Sequence, residues 1–509
     1  MWSNETKWMA YLALNLAFGA ALVAGGLISG SGLARLPFVA MMFAICTSPL
    51  PSIDRLNGPF AILSVAMAVF FIEFAALDAF NMFSAPKTPA GAADFLAPAE
   101  WVLLTGAALK IFGFRSAVYF TRQTRTRGEL RDWPRPLLVP IGLSLWLAGS
   151  FATLFQSLVL VVENTERATV EGLAALGNWG SFGLILVSNY AGPLGIVVLA
   201  YWWSVWGRRS GTALMLFIIF AQFVIGWLVD TKEVAVAAPL VIILTRFVVR
   251  GKVPLRWLLC SIVGIALVFP VLTAKRLIMT EGLHLTRAEA LPRTFEILAR
   301  AIAERDVARE GRKYEQSSGT FLERLTDKGA VELFVAHSGV DHSYRMGSTL
   351  EPLLYIFLPR VLWSAKPGGN SAVDFNREFH ISEDPDTHIS PSHIGELYWN
   401  FGVIAVIFGM TAFGAILGYV TVKFDVSSAV SMTRTLVVMV TLYQVVVRGG
   451  GQIELEYVVW LRTLVLIGIL HLLLSRRASG SRPASSPAVT GASVQSPAQA
   501  VTPFRHLPI

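Results

Sequence analysis

The residues best suited to chemistry stand between Glu351 and Gly402. Arg360 and Lys366 are set among Pro359, Trp363 and Pro367. An arginine's planar fork matches phosphate oxygens in pairs, and a lysine adds a point charge. Held rigidly by the prolines at headgroup level, the two would grip a phosphate. The competing reading is interfacial snorkelling, with Trp363 in an aromatic belt. Arg377, in a polar stretch, fits a solvated surface as well as a ligand contact. Glu396 and Asn400 are four apart and share one helix face. A poorly hydrated carboxylate at a bilayer edge can act as a base near neutral pH, or it can simply complement a helix N-terminus. His393 has the intrinsic range for proton transfer, though a lone histidine there also suits a cap or a surface. His380 and His388 match no firm metal-ligand spacing, so no metal is expected.

Three more cations belong to the same argument. Arg448 precedes Gly449, Gly450 and Gly451 inside an apolar run. Glycine-rich backbone approaches a phosphate closely and a nearby arginine can pair with it; a plain turn between helices is the alternative. Lys232 stands in the tight Asp230-Thr231-Lys232-Glu233 turn, and Arg276 opens the longest polar interruption. Within apolar runs, Glu73, Asp78, Glu100 and Lys110 each cost about 2–3 kcal/mol near a bilayer centre. They are expected to pair with one another, to form an ion path, or, for Asp78 and Glu100, to line an outer cavity.

These side chains must be positioned by a membrane-embedded framework. The 509 residues are 54% hydrophobic and only 15% charged, against about 25% charged in a soluble chain; the mean hydropathy is +0.58. Apolar runs recur at transmembrane length. The expected fold is therefore all-α and polytopic, with about twelve spans and a large outer loop. Spans one to nine fill 1–273, the loop 274–392, spans ten to twelve 393–475, and a Ser-, Pro- and Ala-rich disordered tail 476–509. Arg122, Arg125, Arg127, Arg131 and Arg135 against Glu129 and Asp132 fix their loop as cytoplasmic, and both termini follow. The net charge of +8 is thus a membrane signature, and no basic soluble module for nucleic acid is visible. The first apolar run lacks a basic leader and cleavage site and reads as a retained span. Cys46 and Cys260 both lie in apolar runs, which argues against disulfide, zinc and thiol chemistry. Asn189-Tyr190-Ala191-Gly192-Pro193 should kink span six, and span eleven should break at Arg448. Leu291–Arg312 reads as an amphipathic surface helix, and Pro352–Trp363 as re-entrant or interfacial.

Three segments carry a resemblance. Tyr344-Arg345-Met346-Gly347-Ser348-Thr349, then Leu358-Pro359-Arg360-Val361-Leu362-Trp363-Ser364-Ala365-Lys366-Pro367, then Gly395-Glu396-Leu397-Tyr398-Trp399-Asn400-Phe401-Gly402, together with the span layout, resemble the Wzy-type O-antigen and exopolysaccharide polymerases. The resemblance implies a GT-C-like fold in a bacterial inner membrane and a metal-independent glycosyltransferase without cofactor. It implies polymerisation of polyprenyl-diphosphate-linked oligosaccharides on the outer face, with a chain-length regulator and a flippase as partners. Residue by residue, Arg360 and Lys366 would match the motif's cations, and Glu396, Asn400 and Gly402 its second half. Arg345 would join the diphosphate-binding set, with Trp363 and Tyr398 in support. Lys232, Arg276 and Arg448 match by location. Glu396 or His393 would take the acceptor hydroxyl's proton. The long charged stretch after Arg287 departs from the family pattern.

Two other activities use the same features. A ligase moving a finished glycan to another acceptor would need the same site. A secondary transporter would use Glu73, Asp78, Glu100 and Lys110, but it usually shows two related halves, and none is evident. A purely structural scaffold would keep expensive intramembrane charges to no purpose.

Overall fold

The computed structural model describes residues 3–29, 35–55, 58–84, 96–123, 132–156, 187–207, 209–229, 232–252, 255–261, 327–355, 370–382, 387–426, 431–448 and 450–479, with a few isolated positions between them. These residues are overwhelmingly helical: α1 (Asn4–Ser29), α2 (Leu36–Thr47), α3 (Pro59–Phe74), α4 (Ala76–Ser84), α5 (Pro98–Gln123), α6 (Arg135–Phe155), α7 (Gly192–Trp206), α8 (Arg209–Leu228), α9 (Lys232–Arg250), α10 (Lys328–His337), α11 (Ser371–Phe379), α12 (His393–Lys423), α13 (Met432–Thr441) and α14 (Ile453–Ser479). Wide π-helical turns run over Val187–Ala191 and Leu442–Val447.

Six of these helices are long and apolar enough to cross a membrane among the described residues: Asn4–Gly25, Pro98–Gln123, Arg135–Phe155, Arg209–Leu228, His393–Lys423 and Ile453–Ser475. The pair α3 and α4 makes a seventh if taken as one span, bent by 58° at Ala75. The described residues are all-helical, with helices of membrane-crossing length and apolarity. Large apolar side chains such as Phe112, Phe151, Phe220 and Phe408 point outward from these helices, as a lipid-facing surface requires.

Lipid tails are as apolar as the helices, so burial of carbon cannot drive the helices together; close backbone approach must. Small residues supply it. α5 and α12 run side by side and parallel. Gly106 faces Ile394 and Met410, Gly113 faces Thr411, Gly414 faces Lys110, and Gly418 faces Phe114 and Ala117. Gly414 and Gly418 form a small-xxx-small pair along this seam. α6 and α7 are antiparallel, with Gly142 against Leu199, Gly149 against Gly192 and Gly195 against Trp146.

The bundle has two unlike ends. One is rich in arginine. There Asp132 accepts hydrogen bonds from the Met432 N–H at 2.8 Å and the Tyr201 hydroxyl at 3.2 Å, and Arg250 donates to the Ser204 carbonyl. The other end carries α10, α11 and the polar segments between them. It is tied to the bundle by charge: Lys328 of α10 lies 2.6 Å from Asp78 and 2.7 Å from Glu100, and Arg35 also pairs with Asp78. Asp78 and Glu100 thus serve as anchors for α10, paired with cations distant in sequence. Glu100 also accepts from the Ala97 N–H at 3.0 Å, closing the start of α5.

Where span six was expected to kink or unwind, a π-helical turn over Val187–Ala191 runs directly into α7, and the helix of span eleven ends at Arg448, after a second π-helical turn. The expected surface helix at 291–312 and the tail from 480 lie outside the described residues, as does most of 356–369.

Candidate functional site

The polar end is built around a break in α12. The helix is interrupted at Phe401 (φ −142°, ψ 23°) and Gly402 (φ 62°, ψ −149°). Gly402 occupies a backbone region essentially restricted to glycine, and a Cβ there would meet the Tyr344 hydroxyl at 3.0 Å. The carbonyls of Trp399 and Asn400 accept from the Arg345 and Met346 N–H groups at 3.0 and 3.1 Å. The segment beginning Tyr344-Arg345-Met346-Gly347 therefore docks on the kink in Tyr398-Trp399-Asn400-Phe401-Gly402. Two of the three sequence segments singled out above meet in space.

Asn400 locks that junction. Its Oδ1 accepts from the Gly347 N–H at 2.9 Å, and its Nδ2 donates to Thr349 Oγ1 at 2.7 Å and the Glu396 carbonyl at 2.8 Å. An amide N–H can only donate and a carbonyl can only accept, so these partners fix the amide's orientation. Gly347, at φ 89°, and Met346, at φ 50°, hold the left-handed turn that brings the segment in.

Glu396 is fully buried. Its Oε2 accepts from the Ile453 N–H at 2.8 Å, at the first residue of α14, so the carboxylate completes that helix's N-terminus. Thr349 and Ser371 face the same carboxyl, although Oε1 has no partner in hydrogen-bonding geometry among the described residues. Glu454, also buried, faces both Glu396 and Asp374. His393, buried at the start of α12, shares a small void with Glu73, Lys110 and Phe413, and its Nε2 has no hydrogen-bond partner among the described residues. His393 and Glu396 are thus side by side in sequence but face different surroundings.

Arg345 pairs with Glu378 and lies 4.7 Å over the Trp399 ring. Trp399 Nε1 donates to the same carboxylate at 3.2 Å. Around them Phe334, Phe375 and Phe379 pack on Trp399. Arg345 therefore joins α11 to α12, with Phe334 bringing α10 to the same cluster, and its charge is matched by Glu378. Tyr398 lies near Tyr344, and Trp363 packs edge-on against Tyr355. His380 is the left-handed C-cap of α11, and His388 and Arg377 are exposed. Among the described residues no three His, Cys, Asp or Glu side chains gather closely enough to share a metal ion.

Arg448 stands elsewhere at this end, after the π-helical turn. Its Nε is 3.2 Å from the buried Glu456. It also lines a cavity of about 380 Å³ whose walls include Ser150, Gln156, Asn189, Gln222 and Gln444. This is an unusual concentration of amide and hydroxyl groups among membrane helices, where unsatisfied polar atoms are costly. Val234 and Ala237 of α9 complete one wall, close in sequence to Lys232 at the start of that helix; the Lys232 side chain lies outside the described residues, as do Arg276, Arg360 and Lys366. Beside Arg448, any side chain at Gly450 would overlap the Asp327 carboxyl. Asp327 donates its N–H to the Glu73 carbonyl at 3.0 Å, and burial pushes its own carboxyl up to about 7.

Several of these residues had no visible signal in the sequence. Glu378, Lys328, Asp327 and Gln444 lie in no local pattern; only Glu454 and Glu456, directly after the glycine run, stood near a feature that marked them. No family model, curated protein or solved structure matches the chain.

Proposed function

We propose that this protein is a metal-independent membrane glycosyltransferase that polymerises polyprenyl-diphosphate-linked oligosaccharide repeat units, as the resemblance to Wzy-type polymerases implies. The observation that carries the reading is Arg448 in a polar cavity among membrane helices, at the same end as the two docked motif segments. A sugar-bearing lipid needs such a place: hydroxyl and amide partners for the glycan and a fixed cation for its phosphates.

In this reading the bond between the donor's anomeric carbon and the diphosphate oxygen breaks. An acceptor hydroxyl oxygen bonds to that carbon, and its proton leaves to a base. Positive charge builds on the sugar and negative charge on the diphosphate. Arg448 stabilises the latter, aided by Arg360, Lys366, Lys232 and Arg276, in surroundings of low dielectric. Glu396 and Asn400 hold the kink and the start of α14 in place, and Arg345 holds the aromatic cluster. Glu396 and His393 are the two proton acceptors to be compared, and the burial of each makes substrate-induced opening a requirement for either.

The topology belongs to the same proposal. The four shorter helices α2, α7, α9 and α13, the seven longer crossings and one helix beginning near residue 255 would together supply twelve spans. The arginine-rich end would face the cytoplasm by the positive-inside rule, leaving the site on the outer face of a bacterial inner membrane in a GT-C-like arrangement. The test is polymer formation in cells carrying Arg448→Ala or Arg360→Ala at matched membrane levels. Loss of all but single repeats is expected. Polymer of unchanged amount and length in both variants overturns the cation role.

A further inference from the structure

A second hollow lies at the other end of the bundle. It measures about 750 Å³, about five times the ~150 Å³ of an apolar cavity that holds one benzene. It is cut between α5, α12, α13 and α14, and its wall is carbon from Ile416, Val437, Leu464 and Ile467 among others. The polar exceptions, Thr121, Thr433 and His471, fall near the helix ends on the arginine-rich side. Thr433 and His471 hydrogen-bond to each other at 2.8 Å.

The depth identifies the occupant. Along α14 the lining runs from Trp460 to His471, a rise of about 16 Å at 1.5 Å per residue. That is close to half of a ~30 Å hydrocarbon core, or one leaflet. The mouth lies beside cations: exposed Arg122 and Lys423 adjoin the lining residues Thr121 and Phe424 in sequence. An apolar slot of one leaflet's depth with a cationic rim fits an acyl-chain lipid with an acidic headgroup. A chain long enough to thread both leaflets fits it poorly, and the slot is at the opposite end from the polar cavity.

We infer that the groove between α5, α12, α13 and α14 is a binding site for an anionic glycerophospholipid of the leaflet at the arginine-rich end. Its acyl chains lie along Trp460–His471 and its headgroup beside Lys423 and Arg122. The lipid fills the space that α13 and α14 leave, and so stabilises the break at Arg448 from the far end of the same helices. The inference stands whether or not the polymerase reading does.

Gly468 provides a clean test, because it lines the groove and a Cβ there meets nothing among the described residues within 4 Å. The full chain would be purified in mild detergent, reconstituted in nanodiscs of phosphatidylglycerol and phosphatidylethanolamine, released, and weighed by native mass spectrometry. The expected result is one retained phosphatidylglycerol per wild-type chain. Gly468→Phe should lower that occupancy at least tenfold. Gly19→Phe, on α1 and equally unobstructed, should leave it unchanged. Lys423→Gln should reduce the preference for phosphatidylglycerol over phosphatidylethanolamine. A wild-type chain that retains no lipid, retains a polyprenyl phosphate or a neutral lipid instead, or binds equally after Gly468→Phe overturns the proposal. A thermal melt of Gly468→Phe with added phosphatidylglycerol separates lost binding from misfolding. A cooperative transition that no longer rises with the lipid supports the site, and a rise equal to wild type contradicts it.

Discussion

Replacing Asn400 with alanine should unfasten the polar end without unfolding the bundle. The side chain makes three hydrogen bonds, to the Gly347 N–H, Thr349 Oγ1 and the Glu396 carbonyl, and is itself fully buried. An alanine leaves the Gly347 N–H without its acceptor, at about 1–3 kcal/mol for a buried donor, and forfeits two further bonds at about 1 kcal/mol each. Part of this is recovered by relaxation or water entry, so the net loss is about 2–4 kcal/mol, concentrated where 344–349 meets the kink. Hydrogen-exchange mass spectrometry on the peptide covering residues 344–351 reads that opening. At about 1.4 kcal/mol per decade, a loss near 2.8 kcal/mol gives roughly hundredfold faster exchange at Arg345, Met346 and Gly347. Peptides from α6 and α7 should not change. Thr349→Val is the discriminating control, because it removes one acceptor and leaves the bond to Gly347 intact. It should cost about 1 kcal/mol with far smaller acceleration at Gly347. Unchanged exchange in Asn400→Ala, or acceleration spread evenly over the whole bundle, would refute the reasoning.

Three further outcomes follow from the packing and the charges. Gly418→Ala places a Cβ 2.6 Å from the Phe114 carbonyl oxygen, about 0.8 Å inside the 3.4 Å of ordinary contact; parting α5 from α12 should cost about 1–3 kcal/mol, read as a lower melting temperature in detergent, and an unaltered melt would count against the close seam. Lys328→Met leaves Glu100 buried without its cation and Asp78 with Arg35 alone, so about 3–5 kcal/mol should be lost, and adding Glu100→Gln should restore part of it; no loss, or no rescue, would deny the anchor. Asp327 has a carboxyl raised by burial from 3.8 to about 7, so the folded state holds its proton more tightly than the unfolded chain. Its contribution is therefore greatest at low pH and is lost as pH rises through 7, at up to ~1.4 kcal/mol per unit across the interval. Asp327→Asn should flatten the pH dependence of the melt between pH 5 and 8 and stabilise the protein at pH 8; a parallel curve for variant and wild type would exclude this titration.

The membrane class and the approximate positions of the long helices were legible because apolar length is a one-dimensional signal. So were the irregular helical turn around Asn189–Pro193 and the helix end at Arg448, since proline and glycine act locally. Glu396 and Asn400 were expected on one helix face, and the bond from Asn400 to the Glu396 carbonyl places them there. What could not be read was pairing across the chain. Asp78 and Glu100 find their cation more than two hundred residues away at Lys328, and no spacing rule reaches that far. Arg345 looked like a free cation because Glu378, its partner, lies in an unremarkable acidic stretch. The bend at Ala75 escaped notice because span three has neither proline nor glycine at the break, only Glu73 and Asp78 on either side of it. The glycines at 414 and 418 are a four-residue spacing inside a span, visible in the sequence but meaningful only beside α5.

The central claim concerns glycan transfer from a diphosphate lipid at the end of the bundle that carries Arg448. The most direct measurement uses the purified full chain in a bilayer, supplied with polyprenyl-diphosphate-linked repeat units and no added metal, with the products resolved by size. A ladder of glycans rising one repeat at a time, together with released polyprenyl diphosphate and absent from Arg448→Ala, is the predicted result. Repeat units that stay single with wild-type protein, or a ladder that Arg448→Ala forms just as well, would contradict it.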